Sequence, residues 1–363
     1  MYIKEIELKN FRNYEEIKLN FHKKVNFIIG DNAQGKTNLI EGIYISSFGR
    51  SFRPGKDSQM IRFGENFCRT KVLAIREEDE KNVDIIIGEA EKGVKINGVK
   101  IKKMTELLEN ILIVVFSPED LKIVKDSPEK RRSFMDREIS QLRPSYYMDL
   151  SFYRRALLQR NALLKEKNAT KENFDVWNIE LSLHGTKIII KRKEFIEKIN
   201  KISNEIHSNI TNGKETLEVV YEPSVPYSEQ KTQEVFIEVL EKNKKRDIFK
   251  GNTESGPHRD DLEIRINGID IRKYGSQGQQ RTAALSLKLA ELRLIKEETG
   301  EDAVLLLDDV LSELDANRQS YLINSLADTQ IFITTTEISE NIKSMLPVGF
   351  TFNIKNGTVE TGS

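Results

Sequence analysis

Gly30-Asp31-Asn32-Ala33-Gln34-Gly35-Lys36-Thr37 is the stretch whose residue types and spacing point to the most specific chemistry. The pattern G-x-x-x-x-G-K-T describes a loop that turns its backbone N–H groups toward an anion. Gly30 and Gly35 supply the freedom to turn. Lys36 offers a point charge to the β- and γ-phosphates of a nucleotide, and Thr37 a hydroxyl to Mg²⁺. A second set follows the apolar run Ala303-Val304-Leu305-Leu306-Leu307, which ends in Asp308 and Asp309. There Asp308 would hold Mg²⁺ through water, and Asp309 would orient or deprotonate an attacking water. Ser276 with Gly278 at a helix start is a second anion site. The chemistry expected is binding and hydrolysis of a nucleotide. Lys36, Asp308 and Asp309 are the catalytic candidates; Thr37 and Asp308 are the metal ligands.

These residues need elements to hold them. Val25 to Ile29 reads as a buried strand, and Asn38 to Ser47 as a helix whose N-terminus adds its dipole to the phosphate site. Ahead of them Ile6, Leu8, Ile17 and Leu19 alternate with polar residues, as in half-buried strands. The bend between, Phe11-Arg12-Asn13-Tyr14, presents an exposed Arg and Tyr that either contact adenine and phosphate or simply fill surface. Phe48 to Gly55 is a basic, aromatic loop, equally open to a ligand or to solvent. Val94 to Ile101 and Ile264 to Ile271 are hairpins on Asn-Gly turns. Ile111 to Phe116 is a further buried strand, and Gln330 to Ile333 another, delivering Thr334-Thr335-Thr336 to the same sheet edge.

Helical texture lies between these strands. One helix runs from Ser127-Pro128 to Arg143-Pro144. A second starts near Ser145, with Tyr146, Leu150, Tyr153, Leu157 and Leu164 on one face. In a third, Phe174, Trp177, Leu181, His184, Ile188, Phe195, Ile199, Ile202 and Ile206 make a heptad seam, with Arg192 in the skipped slot. A polar loop, Lys165 to Glu172, makes the last two an antiparallel hairpin. His184 reads as a packed structural residue. Thr216 to Tyr221 is a strand, followed by a helix ending in Lys242-Asn243-Lys244-Lys245-Arg246. Thr282 to Glu298 is a strong helix.

The chain of 363 residues suits about two domains. Its 57 basic and 57 acidic residues cancel, so any nucleic-acid surface must be local. Leu121 to Arg160 carries ten basic and five acidic positions, which suits either an anionic partner or a solvated helix face. Within it, Arg131, Arg132 and the basic helix faces are the candidate phosphate contacts. The single Cys68 excludes an intrachain disulfide framework and fits a reducing cytoplasm. No apolar run approaches the roughly 20 residues of a membrane span, and no signal peptide is visible.

In this order the pieces resemble the ATP-binding-cassette heads of the SMC class. Ser276-Gln277-Gly278-Gln279-Gln280-Arg281 is similar to the cassette signature, and Ser312-Glu313-Leu314-Asp315 to the D-loop. More narrowly, the whole chain is similar to the RecF family of bacterial recombination mediators. Phe116-Ser117-Pro118-Glu119-Asp120-Leu121, Arg131-Arg132 with Phe134-Met135-Asp136, and Ser255-Gly256-Pro257-His258-Arg259-Asp260-Asp261 carry that likeness. It implies an α/β P-loop ATPase head with an inserted helical lobe bearing a short antiparallel hairpin. The expected divisions are the head's N-terminal part at 1–120, the lobe at 121–250, a hairpin and signature segment at 251–300, and the head's C-terminal part at 301–363. ATP and Mg²⁺ are the implied ligands, held by Gly30 to Asn38 of one chain and by Ser276, Gly278 and Gln279 of its mate in an ATP-dependent homodimer. The resemblance also implies binding to duplex DNA and to single/double-strand junctions, with RecR, RecO and RecA as partners. Ser117, Gln277, Asp309 and Thr335 depart from the cassette pattern at the Q-loop, signature, Walker B and switch positions, which suggests slow turnover; the activity expected from the resemblance is a weak, DNA-stimulated ATPase. A transporter ATPase subunit is the alternative; it would lack the helical hairpin.

Overall fold

The computed structural model describes residues 1–166, 171–326 and 328–362. The chain divides into two compact units, Met1–Lys122 with Ala284–Ser363, and Ile123–Ala283. It opens with β1 (Tyr2–Phe11) and β2 (Tyr14–Asn20), an antiparallel pair that buries Ile6 and Leu8. β3 (Val25–Ile29) leads through the glycine loop into α1 (Lys36–Phe48). α1 is buried on nearly every side from Leu39 to Phe48, Glu41 included, so it has no polar face to show as periodicity. Then come β4 (Phe67–Arg76), β5 (Asp79–Gly88), β6 (Lys92–Ile96), β7 (Val99–Lys100), the short α2 (Thr105–Leu108) and β8 (Ile113–Phe116). Asn97 and Gly98 both take left-handed dihedrals, as the expected turn between β6 and β7 requires.

The second unit holds α3 (Pro128–Leu142), α4 (Pro144–Leu163), α5 (Lys171–Ile210), β9 (Leu217–Glu222), α6 (Thr232–Lys250), β10 (Asp261–Ile266), β11 (Ile269–Asp270) and α7 (Ile271–Tyr274). α8 (Gln277–Thr299) starts in it and ends in the first unit. The first unit closes with β12 (Val304–Asp308), α9 (Ala316–Asn324), β13 (Ile331–Thr335), α10 (Glu340–Met345), β14 (Phe350–Lys355) and β15 (Thr358–Gly362).

Two six-stranded sheets build the first unit, one ordered β2-β1-β4-β5-β6-β7 and the other β15-β14-β3-β13-β12-β8. In the second, β14, β3, β13, β12 and β8 are parallel. Their carboxyl ends therefore bring Gly30, Thr334, Asp308 and Ser117 to one edge, the edge at which ligands bind open α/β sheets.

In the second unit most of the expected helical faces are buried, with Leu157, Trp177 and His184 half-buried, and charged residues lie inside them. The seam of α5 buries Phe174, Leu181, Ile188, Phe195, Ile199, Ile202 and Ile206. His184 Nδ1 donates to the Asp149 carboxylate at 2.8 Å, and the ring stacks on Phe152, a structural role as expected. Arg192, buried, donates to Asp136 at 2.8 Å, to Asp260 at 2.8 Å, to the Tyr146 hydroxyl at 3.0 Å and to the Pro257 carbonyl at 2.6 Å. Tyr221 also donates to Asp260. Burial raises the pKa of both phenols well above their ordinary range. The middle of the expected polar loop, 167–170, lies outside the described residues. The basic run 242–246 does not end its helix, because α6 continues to Lys250.

The expectation for Arg131 is corrected. Arg131 is buried and clasps the Asp261 carboxylate with two bonds, at 2.6 and 2.9 Å, while donating to the Asp126 carbonyl at 2.6 Å. Arg132 is half-buried and donates to the Asp260 carbonyl at 2.8 Å. Arg160, another of the ten basic positions, is buried against Asp247. Part of the apparent positive surface is thus spent inside the unit. Arg131→Ala should lower stability by about 3–5 kcal/mol, read as a drop in the urea midpoint, because Asp261 would lose its two close bonds and keep only Arg272 at 3.5 Å.

His258 makes an acid-sensitive joint. Its Nε2 faces the Thr253 carbonyl at 2.8 Å, which can only accept, so Nδ1 is the acceptor for the Tyr153 hydroxyl at 2.6 Å. Burial pushes its pKa down from 6.5 to about 4. The unfolded chain binds the proton first, so stability is full above pH 6.5 and falls as pH drops toward 4, by up to about 3 kcal/mol. Urea midpoints across this range should show the slope, and His258→Gln should flatten it.

Candidate active site

The glycine loop is built for close approach. A Cβ on Gly30 would lie 2.4 Å from the Ile354 carbonyl oxygen of β14, so no other residue fits. Gly35 has φ 123, and Ala33 at the exposed tip has φ 65. Lys36 is buried, and its Nζ donates to the carbonyls of Gly30 at 2.7 Å and Asp31 at 3.2 Å. The ammonium therefore sits in the mouth of the loop, where a phosphate would take over from these carbonyls.

Across the edge, Thr37 Oγ1 donates to Asp308 Oδ1 at 2.9 Å, and Thr334 Oγ1 donates to the same oxygen at 2.8 Å. Burial raises the Asp308 pKa, against the two hydroxyl bonds that lower it. A buried carboxylate beside a hydroxyl is a hard oxygen donor set that suits Mg²⁺, an ion that keeps most of its water and takes one or two protein oxygens. A cation there would relieve the cost of burying the charge. Asp309, next along, takes φ 53, and its N–H donates to Thr334 Oγ1 at 2.9 Å. Thr334 thus holds the Asp308 carboxylate and the Asp309 backbone through one hydroxyl. The sequence located Thr334 at this edge but did not assign it that role.

The residues flanking the loop differ from expectation. Tyr14 is fully buried, and its hydroxyl donates to the Gly35 carbonyl at 3.0 Å. Arg12 clasps buried Glu41 of α1 with bonds of 2.9 and 2.6 Å and donates to the Gln59 carbonyl at 2.7 Å. Neither is surface filler: both brace the loop and its helix, and burial removes Tyr14 from solvent. Asn38 donates to Asn13 and accepts from Arg53 at 3.1 Å. Ser117 is tied to Asp120 through both its N–H and its hydroxyl, each at 2.8 Å. Thr335 donates to the Glu337 carbonyl at 2.6 Å.

In the second unit, α8 starts at Gln277, five residues before the expected Thr282. Ser276 Oγ accepts from the Gln279 N–H at 3.2 Å, and Gln279 Oε1 accepts from the Ser276 N–H at 3.0 Å. This reciprocal pair is a capping box. Gln280 anchors the turn by donating to the carbonyls of Ile271 at 2.8 Å and Gly275 at 3.1 Å. Ser276 and Gln277 are exposed at the helix start.

A family model described as the RecF/RecN/SMC N terminal domain matches residues 2–356. The DNA replication and repair protein RecF of Agathobacter rectalis is 46% identical over 365 residues, 99% of each chain. The chain belongs to the RecF family. A solved structure of the recombination mediator protein RecF with ATP, in the RecFOR pathway, superposes with a TM-score of 0.93 at 40% identity, covering 100% of this chain and 98% of that one. An SMC head domain from Pyrococcus furiosus shares the fold, with a TM-score of 0.58 at 17% identity over 99% of this chain and 96% of its own. The family is one of DNA replication and repair proteins with an SMC-type ATPase head, and the transporter alternative falls with this full-length match. Among the described residues, no helix is long and apolar enough to cross a membrane.

Proposed function

We propose that this chain is an ATP-dependent DNA-binding switch of recombinational repair. The observation that carries the reading is the Asp308 carboxylate, bonded to Thr37 beside Lys36 and to Thr334 beside Asp309. Lys36 turns from its own loop carbonyls to the β- and γ-phosphates of ATP, and the loop N–H groups take the remaining oxygens. Thr37 and Asp308 would hold Mg²⁺, which neutralises charge on those phosphates. Asp309 orients and deprotonates the attacking water. Its side chain is one methylene shorter than the glutamate usual in cassettes, which supports slow, weak hydrolysis.

Two such heads pair head to tail, so that Ser276, Gly278 and Gln279 of one chain cap the γ-phosphate bound by its partner. ATP then favours the dimer because the dimer binds it better than the monomer does. The dimer grips duplex DNA near single-strand gaps in the cytoplasm and helps RecR and RecO load RecA; hydrolysis, stimulated by DNA, releases it. Duplex affinity should fall log-linearly with salt.

Ser276→Arg tests the shared site. It places a bulky cation at the exposed helix start and removes one cap, worth about 1 kcal/mol. The monomer should keep near-normal ATP affinity, while ATP-dependent dimers and hydrolysis disappear. Asp309→Asn keeps the shape without the charge, so dimers should form and persist. Sedimentation with and without ATP separates the two. Normal dimers from Ser276→Arg would rule out the shared site.

A further inference from the structure

The glycine loop is gripped from outside by two turns remote from each other in sequence. Asn13, in the bend between β1 and β2, donates from Nδ2 to the Gln34 carbonyl at 2.8 Å, and its Oδ1 accepts from Asn38 Nδ2 at 2.8 Å. The turn between β14 and β15 supplies two successive backbone donors. The Gly357 N–H reaches the same Gln34 carbonyl at 3.1 Å, and the Asn356 N–H reaches Gln34 Oε1 at 2.7 Å. The Gln34 carbonyl thus uses both of its lone pairs on the brace.

The fit at Gly357 is closer than its turn type demands. Four Asn-Gly pairs among the described residues, at 97–98, 212–213, 267–268 and 356–357, share left-handed dihedrals. At Gly98 and Gly268 an added Cβ would meet nothing within 4 Å. At Gly357 it would lie 2.3 Å from the Asn13 carbonyl oxygen. Glycine is needed there for contact as well as for conformation.

The Gln34 carbonyl and the Gly35 N–H belong to one planar trans peptide, so they point in opposite directions. Fixing the carbonyl outward fixes the N–H on the loop's other side, and phosphate binding by such a loop depends on where its N–H groups aim. We propose that Asn13 and the Asn356-Gly357 turn are positioning residues for the nucleotide, acting through the peptide between Gln34 and Gly35. The proposal rests on the ATP site assigned above. It makes ATP affinity a property of the β14–β15 hairpin as well as of the loop itself.

The test compares Gly357→Ala with Gly98→Ala, alongside Asn13→Ala. Both alanines carry the same left-handed strain, about 1–2 kcal/mol, and Gly357→Ala adds the clash with the Asn13 carbonyl, so it should lower the melting temperature further than Gly98→Ala does. ATP affinity by calorimetry and the KM–kcat split of ATP hydrolysis should separate them. Gly357→Ala and Asn13→Ala should each raise Kd and KM by about 10-fold, the effect of one displaced charge-assisted bond, with kcat changed less than about 3-fold. Gly98→Ala should leave all three unchanged. The Asn13→Ala/Gly357→Ala pair should fall short of the product of the single effects, because both act on one carbonyl. Equal ATP affinities for Gly357→Ala and Gly98→Ala would overturn the proposal while leaving the ATP site in place. Failure of the unaltered chain to bind ATP would instead overturn the site itself.

Discussion

Lys36→Ala should weaken ATP binding by about 10- to 100-fold and slow hydrolysis by about 10²- to 10³-fold, with little change in thermal unfolding. The ammonium is buried at the loop mouth and bonds to the carbonyls of Gly30 and Asp31. Removing it takes a charge-assisted donor from the phosphates. The two carbonyls left behind lie at the edge of the sheet, where water can reach them once the side chain is gone, so the fold loses little. The larger effect on hydrolysis follows because charge on the transferred group spreads outward in the transition state, where Lys36 faces it. ATP-dependent dimers should vanish with it. Calorimetry and phosphate release measure the two losses separately. Unchanged ATP affinity would remove the assignment of the loop.

Arg192→Met should destabilise the second unit by about 3–5 kcal/mol. Arg192 is buried between Asp136 and Asp260 and bonds both at 2.8 Å. Methionine fills much of the volume but takes the shared cation from two carboxylates, leaving Asp136 only the more exposed Arg154 at 3.6 Å, which is the costly way to break a buried pair. Tyr146 and Tyr221 also donate into this cluster, so they cannot replace a positive charge. Adding Asp136→Asn and Asp260→Asn to Arg192→Met should recover part of the loss, because the orphaned charges go with the cation. Urea midpoints and hydrogen exchange within 123–283 would report it. A loss under about 1 kcal/mol would mean that the cluster is not what holds this unit.

The sequence made the chemistry legible where spacing is fixed by a ligand. Gly30, Gly35, Lys36 and Thr37 have no freedom in spacing if they are to surround a phosphate, and a buried strand can carry Asp308 only at its end. What stayed hidden were partners far along the chain. Arg192 looked like a break in an apolar seam because Asp260 is 68 positions away. Arg131 looked like surface because its carboxylate is 130 positions away. Tyr14 and Arg12 were expected in solvent because a bend between strands usually lies there; here the bend folds over α1. The start of α8 was legible in principle. Ser276 and Gln279 have the capping-box spacing, but Gly278 between them argues locally for a loop.

The place of β3 has a consequence for how the protein is made. β3 is paired on one side with β13 and on the other with β14. Ile3, in β1, is tied to Gln330 across 327 positions, donating its N–H at 2.7 Å. At about 5–20 residues per second, the ribosome delivers those neighbours roughly 15–60 s after β3 has emerged. The contacts described for 123–283 are internal to that stretch, which leaves the exit tunnel before β13 and β14 do. A nascent chain therefore carries an assembled lobe while Val25 to Ile28 still expose an unpaired apolar edge, the kind of segment that chaperones engage. Ribosomes halted before residue 331 would hold a folded lobe and no nucleotide site.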